Sequence, residues 1–308
     1  MTETILDQLA GVYAVPPLPR RADRQRTLNL DAAECIVRHI EAGGISRFLY
    51  GGNAFLYHAT LEEYAALLDW LAGFPGTRWP IPSLGPSFGR AMDQAHLLKR
   101  HRFRAAMMLP CSDPRDARGI EAGLREIADA AGLPLILYLK SEDALGSDRE
   151  QGLDAAARLI HDGIAATIKY AIVREHPRDD AYLDGLLRRV DRRRVISGMG
   201  ERPAIVHLRD FHLGGLTTGS GCIAPRRCRD LFAACRDNNW EAAETARAAF
   251  MPLEDLRDEW GPARVLHHAV ELAGIAATGP ITPFVSPLDA TGLQRLSPVA
   301  RALRELDR

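Results

Sequence analysis

Tyr138 and Lys169, 31 residues apart, are the pair in this chain whose types and spacing could do chemistry. Lysine is scarce here: Lys99, Lys140 and Lys169 stand against 36 arginines. Lys169 closes the apolar run Ile164-Ala-Ala-Thr-Ile-Lys169, where a surface charge is not normally put. Arginine keeps its proton in proteins and cannot form an imine with a carbonyl, whereas a desolvated lysine can lose its proton and attack. Tyr138 ends the run Pro134-Leu-Ile-Leu-Tyr138 and is a candidate proton shuttle. The same lysine could instead close an ordinary strand-end ion pair, and the two residues alone leave both roles open.

A 31-residue interval fits one strand–helix–strand step, which would set both side chains at the same end of neighbouring parallel strands. The rest of the chain supports that rhythm. Short β-rich runs at 11–15, 46–50, 79–84, 103–109, 134–139, 165–169, 194–197 and 215–218 alternate with amphipathic stretches near 31–42, 61–73, 88–100, 116–131, 150–162, 180–190, 202–211 and 225–236. Eight evenly spaced strand–helix pairs predict an α/β fold, a (β/α)8 TIM barrel, and no GxGxxG opens a helix after the first strand. Asp31, Asp148, Asp179 and Pro225 are helix-start signals, Gly43-Gly44 a stop, and Thr60-Leu-Glu-Glu63 a capping box. Helices at 240–257, 262–273 and 289–305 follow, interrupted by a Pro/Gly-rich stretch over 278–287. The expected organisation is a barrel carrying the active site over 1–238 and a helical C-terminal appendage over 239–308.

The totals exclude several classes. A net charge of −1 carries no polyelectrolyte signature, so nucleic acid is not an expected partner. The five cysteines (Cys35, Cys111, Cys222, Cys228, Cys235) form no CxxC pair and no zinc spacing. Met1-Thr-Glu-Thr-Ile-Leu-Asp7 lacks the basic stretch and apolar core of a signal peptide, and no run approaches the ~18 apolar residues of a membrane span. A soluble protein of the reducing cytoplasm is expected, without membrane contact.

Catalytic groups of such barrels sit where strands end at the C-terminal face. Those positions hold Pro16-Pro17, Gly51-Gly52-Asn53, Pro110-Cys111-Ser112, Tyr138, Lys169, Gly198 and Ser220-Gly221. The Gly51-Gly52 turn would let backbone N–H groups approach a carboxylate, with the Asn53 amide as an extra donor. A small 2-keto acid fits the arrangement, its carboxylate on the glycine turn and its carbonyl carbon at Lys169.

Taken together, these segments resemble the dihydrodipicolinate synthase/N-acetylneuraminate lyase family of Schiff-base-forming class I lyases. The resemblance runs from about Gly11 to Pro287. It is carried by Gly11-Val-Tyr-Ala-Val-Pro-Pro17, the Gly51-Gly52-Asn53 turn with Thr60-Leu-Glu-Glu63, Leu135-Ile-Leu-Tyr138, Ile168-Lys169, Ile196-Ser-Gly198 and Gly214-Gly-Leu-Thr-Thr-Gly-Ser-Gly-Cys-Ile-Ala-Pro225. The resemblance implies that Lys169 is the Schiff-base lysine and Tyr138 its acid/base partner, with Gly51, Gly52, Asn53, Ser112 and Gly198 around the substrate. It implies no metal and no organic cofactor, and a homo-oligomer, a dimer or tetramer.

The departures are as informative. The family's GTTGE turn is Gly51-Gly52-Asn53-Ala54-Phe55 here, so both threonines are absent. The synthases' tyrosine pair after the fourth strand is replaced by Pro110-Cys111-Ser112, and their Asn-x-Pro by Leu139-Lys140-Ser141. The arginine that would hold the second substrate's carboxylate falls at Asp143, where a negative charge should repel aspartate semialdehyde. The expected activity is therefore an aldolase or dehydratase acting on pyruvate or a 2-keto(-3-deoxy) sugar acid. The alternatives are a non-catalytic 2-keto-acid sensor on the same barrel, or a dihydrodipicolinate synthase-like condensing enzyme. His267-His268 are expected at an interface or surface. Asp179-Asp180 and Glu254-Asp255 lack a histidine at metal-ligand spacing.

Overall fold

Parallel strands and helices alternate through the computed structural model, which describes residues 9–308; the Met1–Asp7 segment read above lies outside them. The strands are β1 (Gly11–Ala14), β2 (Arg47–Leu49), β3 (Trp79–Ile81), β4 (Ser83–Leu84), β5 (Ala106–Met108), β6 (Leu135–Leu139), β7 (Ala165–Tyr170), β8 (Val195–Ser197) and β9 (Gly215–Thr218). They form one sheet in the order β3-β2-β1-β9-β8-β7-β6-β5-β4, every pairing parallel. β3 and β4 are two pieces of the strand expected over 79–84. Pro82 between them has no N–H to give to the ladder, so the first piece pairs with β2 and the second with β5. The nine pieces thus fill the eight strand positions of a (β/α)8 barrel.

The helices are α1 (Leu30–Ala42), α2 (Leu61–Ala72), α3 (Phe88–Leu98), α4 (Ala117–Ala131), α5 (Arg149–His161), α6 (Ala181–Leu187), α7 (Ala204–Arg209) and α8 (Pro225–Arg236). Thr60 and Glu63 make the reciprocal capping box, and Asp148 caps α5 through the Gln151 N–H. Two starts differ from expectation. Asn29, not Asp31, accepts the Ala32 N–H at 3.2 Å, because Asp31 already lies inside the first turn. Asp180, not Asp179, accepts the Leu183 N–H at 3.0 Å, the spacing a cap requires.

The extension comprises α9 (Trp240–Ala248), α10 (Met251–Trp260), α11 (Pro262–Leu272) and α12 (Ala290–Glu305). The single helix expected over 240–257 is broken at Ala249-Phe250, since Pro252 cannot donate to a preceding turn and sits instead in the first turn of α10. One buried cluster joins barrel residues Leu49, Ile81, Met107, Ile136 and Ile196 to Leu253, Val265 and Leu296 of the extension. A second cluster lies between strands and helices and holds Leu135, Leu137, Leu139, Ile168 and Tyr170. Among the described residues no helix is long and apolar enough to cross a membrane.

Candidate active site

Alternation along β6 and β7 decides which side chains enter the barrel. Ile168 and Tyr170 pack outward in the strand–helix layer, so Lys169 between them points inward. Tyr170 is pinned there: its hydroxyl donates to Asp180 Oδ2 at 2.6 Å, and its ring lies 6.1 Å from His207. Asp180 thereby caps α6 and braces the strand behind the lysine. On β6, Leu137 and Leu139 likewise face out and Tyr138 faces in. The register sets Tyr138 directly beside Lys169.

The Lys169 Nζ sits 4.0 Å from the centre of the Tyr138 ring. Lys169 is only 5% exposed, while Tyr138 is half-buried. Burial pushes the ammonium down to about 7, and the positive charges of Lys140 and Arg257 act in the same direction. Burial raises the Tyr138 phenol, with Lys140 opposing it. The pair thus combines an amine that is partly neutral near neutral pH with a phenol that stays protonated, as a nucleophile and a proton donor at one carbonyl would require.

Gly198, where β8 ends, closes the other side of the lysine. A Cβ there would lie 2.9 Å from Lys169 Cγ and 2.7 Å from both Ala171 Cβ and the Tyr170 carbonyl oxygen, so only glycine fits. Gly51 is similarly confined, with Met107 Cε 2.8 Å and Ser83 Oγ 3.1 Å from the position of a Cβ. Gly52 is not, since its nearest neighbour would be Tyr57 Cε2 at 3.9 Å. Gly52–Ala54 forms a short 3-10 turn whose first N–H groups have no partner within the turn, and Phe55 takes the left-handed conformation at φ 53° to leave it. The Asn53 amide donates to the Val15 carbonyl at 2.7 Å, tying the turn to the end of β1. Helix α11 packs over this turn, with the Phe55 and His267 rings 5.9 Å apart.

Ser112 is exposed on the loop after β5. A cavity of about 390 Å³ opens between α3, α4 and the ends of β5 and β6, lined by Tyr138, Phe88, Met108, Cys111 and Arg115 among others, but by neither Ser112 nor Lys169. Asp143, expected to repel a second substrate's carboxylate, is held by the Ser141 hydroxyl and by Arg115 at 3.2 Å, and these lower its carboxyl. His267 is not a surface group: it is 1% exposed, its Nε2 lies 2.9 Å from the Gly279 carbonyl, and burial pushes it down to about 4. His268 accepts the Leu288 N–H at 3.1 Å, so both histidines fasten the 279–288 stretch to α11. His58 lies tilted beside the exposed Phe284, ring centres 5.4 Å apart. All five cysteines are free, and no group of three or more His, Cys, Asp or Glu among the described residues is placed to hold a metal ion.

Sequence reasoning missed a buried polar group at the C-terminal ends of β8 and β9: Glu201, Thr218, Ser220, Glu254 and Arg257, each 7% exposed or less. Thr218 donates to Glu201 and Ser220 to Glu254, and Arg257 Nη1 meets Glu254 Oε1 at 2.5 Å. Burial, then the charge of Glu254, pushes Glu201 up to about 7. The legible signal was a run of glycines at two strand ends (Gly198, Gly200, Gly219) opposite a Glu254-x-x-Arg257 helix face, which only the fold brings together.

The architecture matches solved structures over nearly its whole length. Dihydrodipicolinate synthase from Bacillus clausii superposes with a TM-score of 0.82 at 20% identity, covering 97% of this chain and 99% of that one. The enzyme from Oceanobacillus iheyensis gives 0.81 at 20%, covering 98% and 100%. That from Agrobacterium tumefaciens gives 0.82 at 19%, covering 97% and 100%. The chain has the fold of these synthases. At such identities the likeness speaks for the barrel and its helical tail, not for an activity. No family model matches the sequence, and no curated protein matches it significantly.

Proposed function

We propose that the protein is a Schiff-base-forming lyase of the dihydrodipicolinate synthase/N-acetylneuraminate lyase superfamily, acting on pyruvate or a 2-keto(-3-deoxy) sugar acid. The observation that carries this reading is the buried Lys169, poised near neutral pH and in register with Tyr138 at the C-terminal end of adjacent strands. Lys169 attacks the keto carbon as the free amine. Tyr138 moves protons as the carbinolamine forms and loses water. The protonated imine then accepts the electron pair released when the neighbouring C–C bond breaks, or when the adjacent C–H is deprotonated, after which the resulting enamine expels a β-hydroxyl as water. Gly51, Gly52 and Asn53 receive the substrate carboxylate through backbone N–H groups, Gly198 gives the lysine its room, and Ser112 contributes from the loop.

Cleavage or dehydration is favoured over the synthase reaction because the threonine positions of the family's turn are Gly52 and Asn53, and Asn53 already spends its amide on Val15. The same loss favours a second reading, a keto-acid sensor without turnover. The protein acts as a homo-oligomer, dimer or tetramer, with Phe284 (95% exposed) and Val173 (73%) as apolar side chains for an interface to cover. A cytoplasmic setting is supported by the five free thiols.

Incubation with pyruvate and borohydride, followed by intact mass and peptide mapping, tests the reading. A reduced adduct on Lys169 is expected. Folded protein that takes no adduct from pyruvate or from a panel of 2-keto acids would refute it.

A further inference from the structure

Tyr138 joins Lys169 to the cavity of about 390 Å³ between α3, α4 and the ends of β5 and β6: its ring lies under the lysine nitrogen, and it lines the cavity. The sheet opens here for a reason written in the chain. β5 and β6 pair only at Ala106–Leu135 and Met107–Ile136, whereas β6 and β7 stay paired as far as Leu139 and Tyr170. The Ala106 N–H donates to the Pro134 carbonyl, and steps of two along a parallel ladder would bring residue 110 to the Tyr138 carbonyl. Residue 110 is a proline and has no N–H to give. The cavity lies in the gap that results, and its walls come from both faces of the sheet. Leu109 and Tyr138 pack with the inner cluster, and Leu124, Leu137 and Leu139 belong to the strand–helix layer. The cavity therefore links the reacting end of the barrel to an apolar space between strands and helices.

Its volume falls within the roughly 300–1,000 Å³ of small-molecule sites. The polar groups at its rim are already engaged. Asp116 accepts the Gly119 N–H at 2.9 Å, and Arg115 donates to the Asp113 carbonyl at 3.0 Å and to Asp143 at 3.2 Å. A polyhydroxylated chain in this space would leave hydroxyls unpaired among leucines, which is unfavourable. A second carboxylate is disfavoured too, because Asp113, Asp116 and Asp143 surround the one guanidinium of Arg115.

We propose that this cavity receives an apolar substituent, alkyl or aryl, carried on the fourth carbon of a 4-hydroxy-2-keto acid. The inference rests on the reading of Lys169 as the nucleophile and names a substrate class for that site. Imine formation at Lys169 releases water. The C3–C4 bond then breaks, its electron pair passes into the imine, and C4 leaves as an aldehyde while its hydroxyl gives up a proton. C3 takes up a proton, and water frees pyruvate from the lysine. The net reaction turns one hydroxy-keto acid into pyruvate and one apolar aldehyde.

Cys111 reports on occupancy of the cavity, because it lines the wall, whereas Cys35 is exposed on α1 and the other three cysteines are buried. Alkylation of Cys111 by iodoacetamide, read by peptide mass spectrometry against Cys35, should slow several-fold under saturating benzyl alcohol and stay unchanged in glycerol. In Ile120→Trp, which fills the cavity from α4, benzyl alcohol should have no effect. Ala144→Leu, which fills it from the loop after β6, gives the same reading should the first variant fail to fold. With pyruvate present, kcat/KM for acetaldehyde, butanal and hexanal, followed as the 4-hydroxy-2-keto acid formed, should climb about threefold to fourfold per added methylene. Hexanal should exceed glyceraldehyde, and Ile120→Trp should flatten the series while its pyruvate adduct at Lys169 matches that of the wild type. Cys111 left unprotected by benzyl alcohol, or a series that is flat or led by glyceraldehyde, would overturn the inference. The alkylation needs no keto acid and can be run on Lys169→Met, so failure of the cavity is told apart from failure of the pyruvate–borohydride experiment.

Discussion

The Lys169 ammonium nitrogen rests on the face of the Tyr138 ring, 4.0 Å from its centre, and two effects on the lysine oppose each other there. A ring face favours the cation by about 0.5–2 kcal/mol, whereas full burial of an unpaired ammonium costs several. Burial wins, and the group falls to about 7. Adduct formation with pyruvate should therefore rise with pH through about 7 and level off above it, as the ammonium gives up its proton. Trapped adduct measured at short times across pH would check this, and a rise centred near the ordinary lysine value of about 10.4 would contradict it.

Lys169→Met should abolish the adduct and also stabilise the protein. Between about pH 7 and the ordinary lysine value the unfolded chain binds a proton that the folded one does not. Stability from this group therefore rises with pH across that window, and its penalty is fully present below it. Removing the lysine should gain on the order of a few kcal/mol near pH 7. Thermal melts of wild type and variant at acidic, neutral and alkaline pH would show the gap narrowing as pH rises.

Glu201→Gln should act in the opposite pH direction. The folded-state value is raised to about 7, so the contribution of Glu201 is intact below about pH 4.5 and is lost as pH rises through 7. The variant should melt close to wild type at pH 4 and above it at pH 8. An unchanged difference across that range would show that Glu201 is not the titrating group.

Tyr138→Phe keeps the ring under the lysine and removes only the hydroxyl. Adduct formation should slow by about 10²–10⁴-fold, the usual contribution of a positioned acid or base, with the same final adduct mass. Equal rates would assign the proton transfers to another group.

Gly51→Ala and Gly52→Ala should separate. The first would set a methyl 2.8 Å from Met107 Cε and 3.1 Å from Ser83 Oγ, at a cost of about 1–3 kcal/mol. The second meets nothing nearer than 3.9 Å, and its melting temperature should stay close to that of the wild type. Denaturant midpoints would compare them.

Much of the barrel was legible because parallel α/β folds write their period into the sequence. The strand expected over 215–218 and the helix over 225–236 match the observed β9 and α8. The errors fall where one residue overrides the pattern: Pro82 splits a strand, Pro252 splits a helix, and Asn29 and Asp180 take caps assigned to neighbours. Lys169 and Tyr138 could be paired from the sequence because one βαβ step fixes which strand ends are adjacent, and two-residue alternation fixes which side chains face inward.

Contacts between segments far apart in the chain carry no such period. Nothing in Glu254-x-x-Arg257 says that it will meet Gly219 and Gly200, or that His267 will be buried under Gly279. The charge state of Lys169 belongs to the same class, since desolvation depends on everything packed around the amine. The sequence by itself determined the barrel and the identity of the lysine and tyrosine, through local periodicity. Only the tertiary structure decided that the C-terminal extension sets a buried arginine against Ser220 and the glycine that ends β9, because that proximity arises from packing and not from any repeat along the chain.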